Sequence, residues 1–208
     1  MPILCALSDG KKTVIGSDLT RWNGSFIEKW HSSWWMKGEF ALGTFEGNYI
    51  VDNLIDEHFE ELISNALSKQ KESKKKLDGD AKIVPFQLPI NPFYLAMQLR
   101  NMLMEYEVLG APSDEGAGFE GYNQTFLLAM PGVIWRISSS FGVLRLTDNK
   151  VHVNGGGDSA DFFEGIGLSL IKEGRYAYDE VLRKSLEYAS QETIDVCDKN
   201  GFFIKTLG

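Results

Sequence analysis

The side chains that could act as nucleophiles or metal ligands are few and scattered. The chain has two cysteines and three histidines, namely Cys5, Cys197, His31, His58 and His152. None of them stands at the spacing of a zinc site, so the sequence predicts no bound metal. Cys5 alternates with Leu4 and Ala6 in an apolar run, a pattern that favours a buried thiol over a reactive one.

Composition and charge exclude several classes of protein. The 208 residues include 21 basic and 29 acidic side chains, which gives a net charge of −8 and a pI near 5.0. An acidic chain of this kind lacks the excess of Lys and Arg that nucleic-acid binding needs. No apolar run approaches the roughly 20 residues of a membrane span, and no secretory leader is recognisable. With only two cysteines, a cytoplasmic location is expected.

The periodicity of the apolar residues predicts the elements that must position any site. Alternating apolar residues indicate strands up to Gly43, beginning with a hairpin over residues 3–17. Helical spacing follows from Asn48 to Tyr106, strands return from Gln124 to Val153, and two more helices lead to a last strand. Strictly alternating βαβ units are absent, so we predict an α+β fold with two antiparallel sheets in one domain, residues 1–208.

Four short motifs within this order are familiar. They are Val14–Asp18 at the end of the second strand, Ile27–Trp30 in a later strand, Ala41–Gly47 before the first helix and Gly155–Ala160 before the third. Together they resemble the proteasome β-subunit family of N-terminal nucleophile (Ntn) hydrolases, which includes the peptidase subunit of the bacterial two-component heat-shock protease. The resemblance implies a four-layer αββα sandwich.

The resemblance also implies roles for individual residues. In that family an N-terminal Thr, Ser or Cys is the nucleophile and its own amino group is the base. Asp18 and Lys29 would form the pair that orients this amine, and the backbone N–H of Gly47 would stabilise the oxyanion. The turn that contacts the amine would consist of Gly155, Gly156, Gly157 and Asp158.

The nucleophile of that family is missing from this sequence. The reactive residue should stand about 16 positions before Asp18, where the chain has Pro2, and neither Pro2 nor Met1 has a hydroxyl or thiol. The Ser of the family's Gly-Ser-Gly turn is also replaced, by Gly155 or Gly156. We therefore predict a proteasome-like pseudoenzyme that assembles with itself into a ring or partial ring, with no cofactor.

Two other functions remain open at this stage. A peptidase or amidase could use an unrecognised nucleophile, with Cys5, Ser8 and Ser17 as the candidates. The start Met1-Pro2-Ile3 also resembles the small tautomerases, whose N-terminal proline moves a proton. Any partner besides a second copy of the chain would be a peptide or unfolded protein; no nucleic acid and no membrane is expected.

Overall fold

The computed structural model describes residues 3–23, 26–29, 34–45, 49–77, 89–111, 118–119, 122–155, 159–192 and 201–208. Its strands are β1 (Ile3–Ser8), β2 (Thr13–Asp18), β3 (Thr20–Asn23), β4 (Phe26–Lys29), β5 (Trp34–Lys37), β6 (Phe40–Phe45), β7 (Thr125–Met130), β8 (Val133–Ile137), β9 (Val143–Arg145), β10 (Val151–Gly155) and β11 (Phe202–Leu207). Its helices are α1 (Tyr49–Leu77), α2 (Pro92–Glu105), α3 (Ser159–Glu173) and α4 (Tyr178–Glu192).

The chain divides into two compact units. The first comprises Met1–Glu46, Thr125–Arg136 and Arg145–Gly208, and the second comprises Gly47–Gln124 and Ile137–Leu144. Each unit is built from segments that are distant in sequence. Dividing the sequence at a single position therefore does not separate the two units. The expectation of one domain over residues 1–208 stays a prediction.

The first unit contains a central sheet with strand order β10-β1-β2-β11, all neighbours antiparallel. Both faces of β1 are buried, which explains why its sequence is an unbroken apolar run rather than an alternating one. Ile3, Cys5 and Leu7 pack in one cluster with residues of α3 and α4. Leu4 and Ala6 point to the opposite face and pack in another cluster with residues of β5, β6, β7 and β8.

The second sheet has strand order β5-β6-β7-β8-β9, and β3 pairs only with β4 among the described strands. Trp34 of β5 is the largest side chain in the cluster between the two sheets and is 4% exposed. Its indole N–H donates to the carbonyl of Gly16 in β2, with N···O 3.1 Å. A Cβ on Gly43 would lie 2.6 Å from the Trp34 ring, so only glycine fits at this position of β6.

The second unit contains α1 and α2, which pack on each other. Asn91 caps α2 by accepting a hydrogen bond from Phe93 N–H at 3.0 Å, and Pro92 occupies the first turn, where no intrahelical N–H bond is lost. Gln70 of α1 accepts a 2.8 Å hydrogen bond from the Asn91 N–H. The start of α2 is therefore fixed to the second half of α1.

The predicted class and element order are confirmed: within the described residues the chain is α+β, with two larger antiparallel sheets and four helices. The predicted hairpin over residues 3–17 is also confirmed. Spacing of four in the sequence predicts that Phe162, Ile166 and Leu170 form the buried face of α3. The prediction is wrong for Phe162, which is 43% exposed, and Phe163 is buried instead. The reason is Gly167, which faces Val151 and turns the buried stripe of α3 toward residues 163, 167 and 170.

No helix in the described ranges combines the length and apolar character that crossing a membrane requires.

Two glycines of α3 give a matched test of this packing. A Cβ at Gly167 would lie 2.4 Å from Val151 Cγ2, whereas a Cβ at Gly165 would meet no atom within 4 Å. Alanine favours a helix by about 1 kcal/mol over glycine, so Gly165→Ala should raise the free energy of unfolding by up to that amount. Gly167→Ala should lower it by about 1–3 kcal/mol through overpacking. Urea unfolding of both variants measures the difference, and equal values would contradict the close contact.

Candidate active site

The amino end of β1 is fixed by a buried carboxylate. Asp18, the last residue of β2, is 3% exposed, and its Oδ1 accepts a hydrogen bond from the backbone N–H of Ile3 at 3.0 Å. The register places Leu4 opposite Ser17, so Ile3 and Asp18 face each other at the end of the ladder. A charge-assisted hydrogen bond of this kind is stronger than a neutral one. The hydrogen bond therefore fixes the first described residue of β1 to the end of β2.

Lys29 reaches the same region through the β3–β4 hairpin. The register pairs Thr20 with Lys29, so the Lys29 backbone lies opposite a residue two positions after Asp18. The side chain of Lys29 lies outside the described part of the structure. The Asp18–Lys29 pair therefore stays a prediction, with a backbone placement that is compatible with it.

The glycine-rich turn begins on the other side of Ile3. Gly155 ends β10 and pairs with Ile3, so Asp18 and Gly155 flank one residue of β1 from its two neighbouring strands. The remaining turn residues, Gly156, Gly157 and Asp158, lie outside the described residues, as do Pro2 and Gly47. Their predicted site roles are untested.

A polar clasp, made of Thr44, Thr125 and Asn154, was missed by the sequence analysis. The carbonyl of Thr125 accepts hydrogen bonds from Thr44 Oγ1 at 2.7 Å and from Asn154 Nδ2 at 3.0 Å. The Thr125 hydroxyl donates to Asn154 Oδ1 at 2.9 Å. The clasp joins β10 to β6 and β7, close to the points where β6 leads toward Gly47 and β10 leads into its glycine turn. A Thr and an Asn just before two Gly-rich segments were the available signal.

Cys5 is an unreactive thiol in this structure. It is fully buried, and its Sγ donates to the carbonyl of Gly16 at 3.3 Å. Burial raises the pKa of the Cys5 thiol far above its usual range, and the negative charge of Asp18 raises it further. Because the thiolate is the reactive form, the side chain stays protonated and inert.

The two serine candidates are equally enclosed. Ser8 is fully buried, and its Oγ accepts a hydrogen bond from the Gly10 N–H at 3.1 Å. Ser17 is also fully buried, and its Oγ forms no hydrogen bond with any described residue. Neither hydroxyl has a hydrogen bond to a basic side chain among the described residues, and a serine nucleophile needs such a base. The structure therefore gives no support to a nucleophile at either serine.

The described residues contain no cluster of three or more His, Cys, Asp or Glu side chains that could hold a metal ion.

Comparison with known proteins yields matches in three dimensions only. No protein-family profile and no curated protein matches this sequence. The chain is similar to HslV from Trypanosoma brucei, with a TM-score of 0.62 and 11% identity over 98% of both chains. It is similar to BPH from Thiobacillus denitrificans in complex with epoxomicin, with a TM-score of 0.64 and 14% identity over 100% of both chains. It is also similar to a mutant of Anbu from Hyphomicrobium, with a TM-score of 0.52 and 13% identity over 99% of this chain and 80% of that one.

This chain has the fold of the proteasome-like Ntn hydrolases. The αββα sandwich that the sequence motifs implied is thereby confirmed as a fold. Identities of 11–14% establish the fold and nothing about activity.

The state of Cys5 can be checked by thiol labelling. In a Cys197→Ser background Cys5 is the only thiol, and the raised pKa together with full burial should keep it unlabelled by Ellman's reagent while the protein is folded. Concentrated guanidinium should release the full signal, since the unfolded thiol regains its ordinary pKa. Rapid stoichiometric labelling of the folded protein would contradict the buried position.

Proposed function

We propose that this chain is a self-associating protein of the proteasome-like Ntn fold that lacks threonine-type peptidase activity. The observation that supports it is the hydrogen bond from Ile3 N–H to Asp18 Oδ1 at 3.0 Å. Pro2, which precedes Ile3 in the sequence, is the residue that we propose for the family's nucleophile position. Pro2 has neither a hydroxyl nor a thiol, and an acyl-enzyme of the family's type needs one of them.

The register of β1 supports the assignment of Pro2 to this position. Moving β1 by one residue would place Ile3, Cys5 and Leu7 on the face now occupied by Leu4 and Ala6. The first three residues are buried in one core cluster and the other two in a second cluster, so such a shift would disrupt both clusters at once. A slip of the strand by one residue is therefore excluded as a way to present another residue at the amino end. The replacement of the turn serine by Gly155 or Gly156 removes a second part of the family's site.

Self-association is supported by the fold and by the surface of α2. Phe93, Met97 and Met104 lie along one side of this helix and are 55%, 43% and 48% exposed. Large apolar side chains grouped in this way are typical of a surface that contacts another protein. The proposed partner is a second copy of the chain. A peptide or unfolded protein as a further partner, and a cytoplasmic location, belong to the same proposal.

Epoxomicin provides a direct test of the missing nucleophile, since BPH has been observed in complex with it. The full chain should show no covalent adduct by intact-mass measurement after long incubation, because no N-terminal hydroxyl and amine are available together. The Pro2→Thr variant, in a preparation whose mass shows that Met1 has been removed, is the matched comparison. An adduct on the unaltered protein would overturn the proposal, and peptide mapping would identify the residue that carries it.

Light scattering coupled to size-exclusion chromatography tests self-association separately. The mass should correspond to at least four chains of 23.3 kDa each. Met97→Glu should reduce this mass, because it places a charge among exposed apolar side chains, while Glu57→Gln on the exposed side of α1 should leave it unchanged. A monomer at all concentrations would refute the ring, whatever the outcome with epoxomicin.

A further inference from the structure

Three polar side chains of the second unit form a continuous chain of contacts. The phenol oxygen of Tyr106 lies 2.7 Å from Nε2 of His58. On the other side of the same ring, Nδ1 of His58 lies 3.4 Å from Oε2 of Glu61. We name this group the Glu61–His58–Tyr106 relay.

The backbone holds the relay in place. His58 and Glu61 are three residues apart on α1, so both side chains leave the same face of the helix. Tyr106 immediately follows α2, and its backbone N–H donates to the carbonyl of Met102 at 3.0 Å, which closes the last turn. The two rings pack at 5.2 Å with a tilt of 41°. The phenol is therefore positioned against the imidazole by secondary structure at both ends.

The order of the three groups determines where the protons are. In the neutral imidazole, a carboxylate beside Nδ1 favours the tautomer that has its proton on Nδ1. In that tautomer Nε2 has a free lone pair and accepts the hydrogen bond from the phenol. His58 is thus oriented as a base toward Tyr106, in the same sequence of carboxylate, imidazole and hydroxyl that activates nucleophiles elsewhere.

We propose that Tyr106 is an activated nucleophile that accepts an acyl group from an activated acyl donor. In the step, Tyr106 Oη forms a bond to the acyl carbon, and its proton passes to His58 Nε2. The bond from the acyl carbon to the leaving group then breaks, and the leaving group takes the proton from His58. The products are an acyl ester on Tyr106, the protonated leaving group and a neutral imidazole, so atoms and charges balance.

Exposure alone does not distinguish Tyr106, and this permits an internal control. Tyr106 is 46% exposed, and Tyr188 on α4 is 47% exposed. The phenol of Tyr188 makes no hydrogen bond with any described residue. Within the described ranges, the base that contacts Tyr106 has no counterpart at Tyr188. Unequal reactivity in one sample would therefore report the relay.

N-acetylimidazole is the probe, applied to the full chain, with acetylation followed by mass spectrometry of the peptides that contain each tyrosine. We expect Tyr106 to be acetylated at least about tenfold faster than Tyr188. A general base in an enclosed site typically gives about 10²–10⁴-fold, and the smaller factor is expected here because Tyr106 is 46% exposed. His58→Gln keeps a polar side chain of similar length without the base, and should bring the Tyr106 rate to that of Tyr188. Tyr106→Phe confirms the peptide assignment.

Glu61→Gln is the second variant, since Glu61 is 67% exposed and its substitution should not disturb folding. The loss of the carboxylate should lower the Tyr106 rate to a value between those of the unaltered protein and His58→Gln. An unchanged Tyr188 rate verifies that each variant is folded. Equal rates for both tyrosines in the unaltered protein, or a Tyr106 rate that survives both substitutions, would overturn the proposal.

Discussion

The hydrogen bond between Ile3 N–H and the Asp18 carboxylate joins the first residue of β1 described here to the last residue of β2, with both partners buried. A buried carboxylate requires hydrogen bonds or ion pairs, and this contact supplies one of them. The strand it anchors is central to the sheet and contributes to both core clusters. The geometry at the amino end of β1 is therefore required for folding, whether or not chemistry takes place there. A scaffold built in this way can survive the loss of its nucleophile.

Local signals in the sequence were sufficient for the elements and for one side of the site. The hairpin over residues 3–17 is predicted from the sequence, and the structure shows why its turn forms. Gly10 adopts φ +83°, and the Asp9 carboxylate accepts hydrogen bonds from the Lys11 and Lys12 N–H groups, both at 2.7 Å. With that hairpin in place, Asp18 had to lie opposite the start of β1. The helices α1, α2 and α4 could be predicted from the spacing of apolar residues, because each of them buries one continuous apolar stripe.

Contacts between distant segments could not be obtained in this way. Thr44 and Thr125 are 81 residues apart and Thr125 and Asn154 are 29 apart, yet they form one clasp between strands of different sheets. Hydrophobic periodicity gives no information about polar residues at strand ends. The pattern within any one segment therefore cannot predict that these three residues contact each other. The error at Phe162 has a similar origin. Spacing of four fits residues 162 and 166 as well as 163 and 167, and only the close approach of Val151 to Gly167 decides between them.

Burial, and secondarily the charge of Asp18, keeps the Cys5 thiol protonated, and its place in β1 also separates it from the start of the strand. In a strand, side chains alternate between faces, so a residue at position 2 of an extended β1 would share the face of Leu4 and Ala6. Cys5 belongs to the opposite face and packs with α3 and α4. Bringing its thiol to the start of the strand requires a shift by three residues, which would reverse the face of every side chain in β1. In its present position the thiol is held neutral by burial and by the charge of Asp18. The presence of Cys5 in β1 therefore does not conflict with the proposed absence of threonine-type activity.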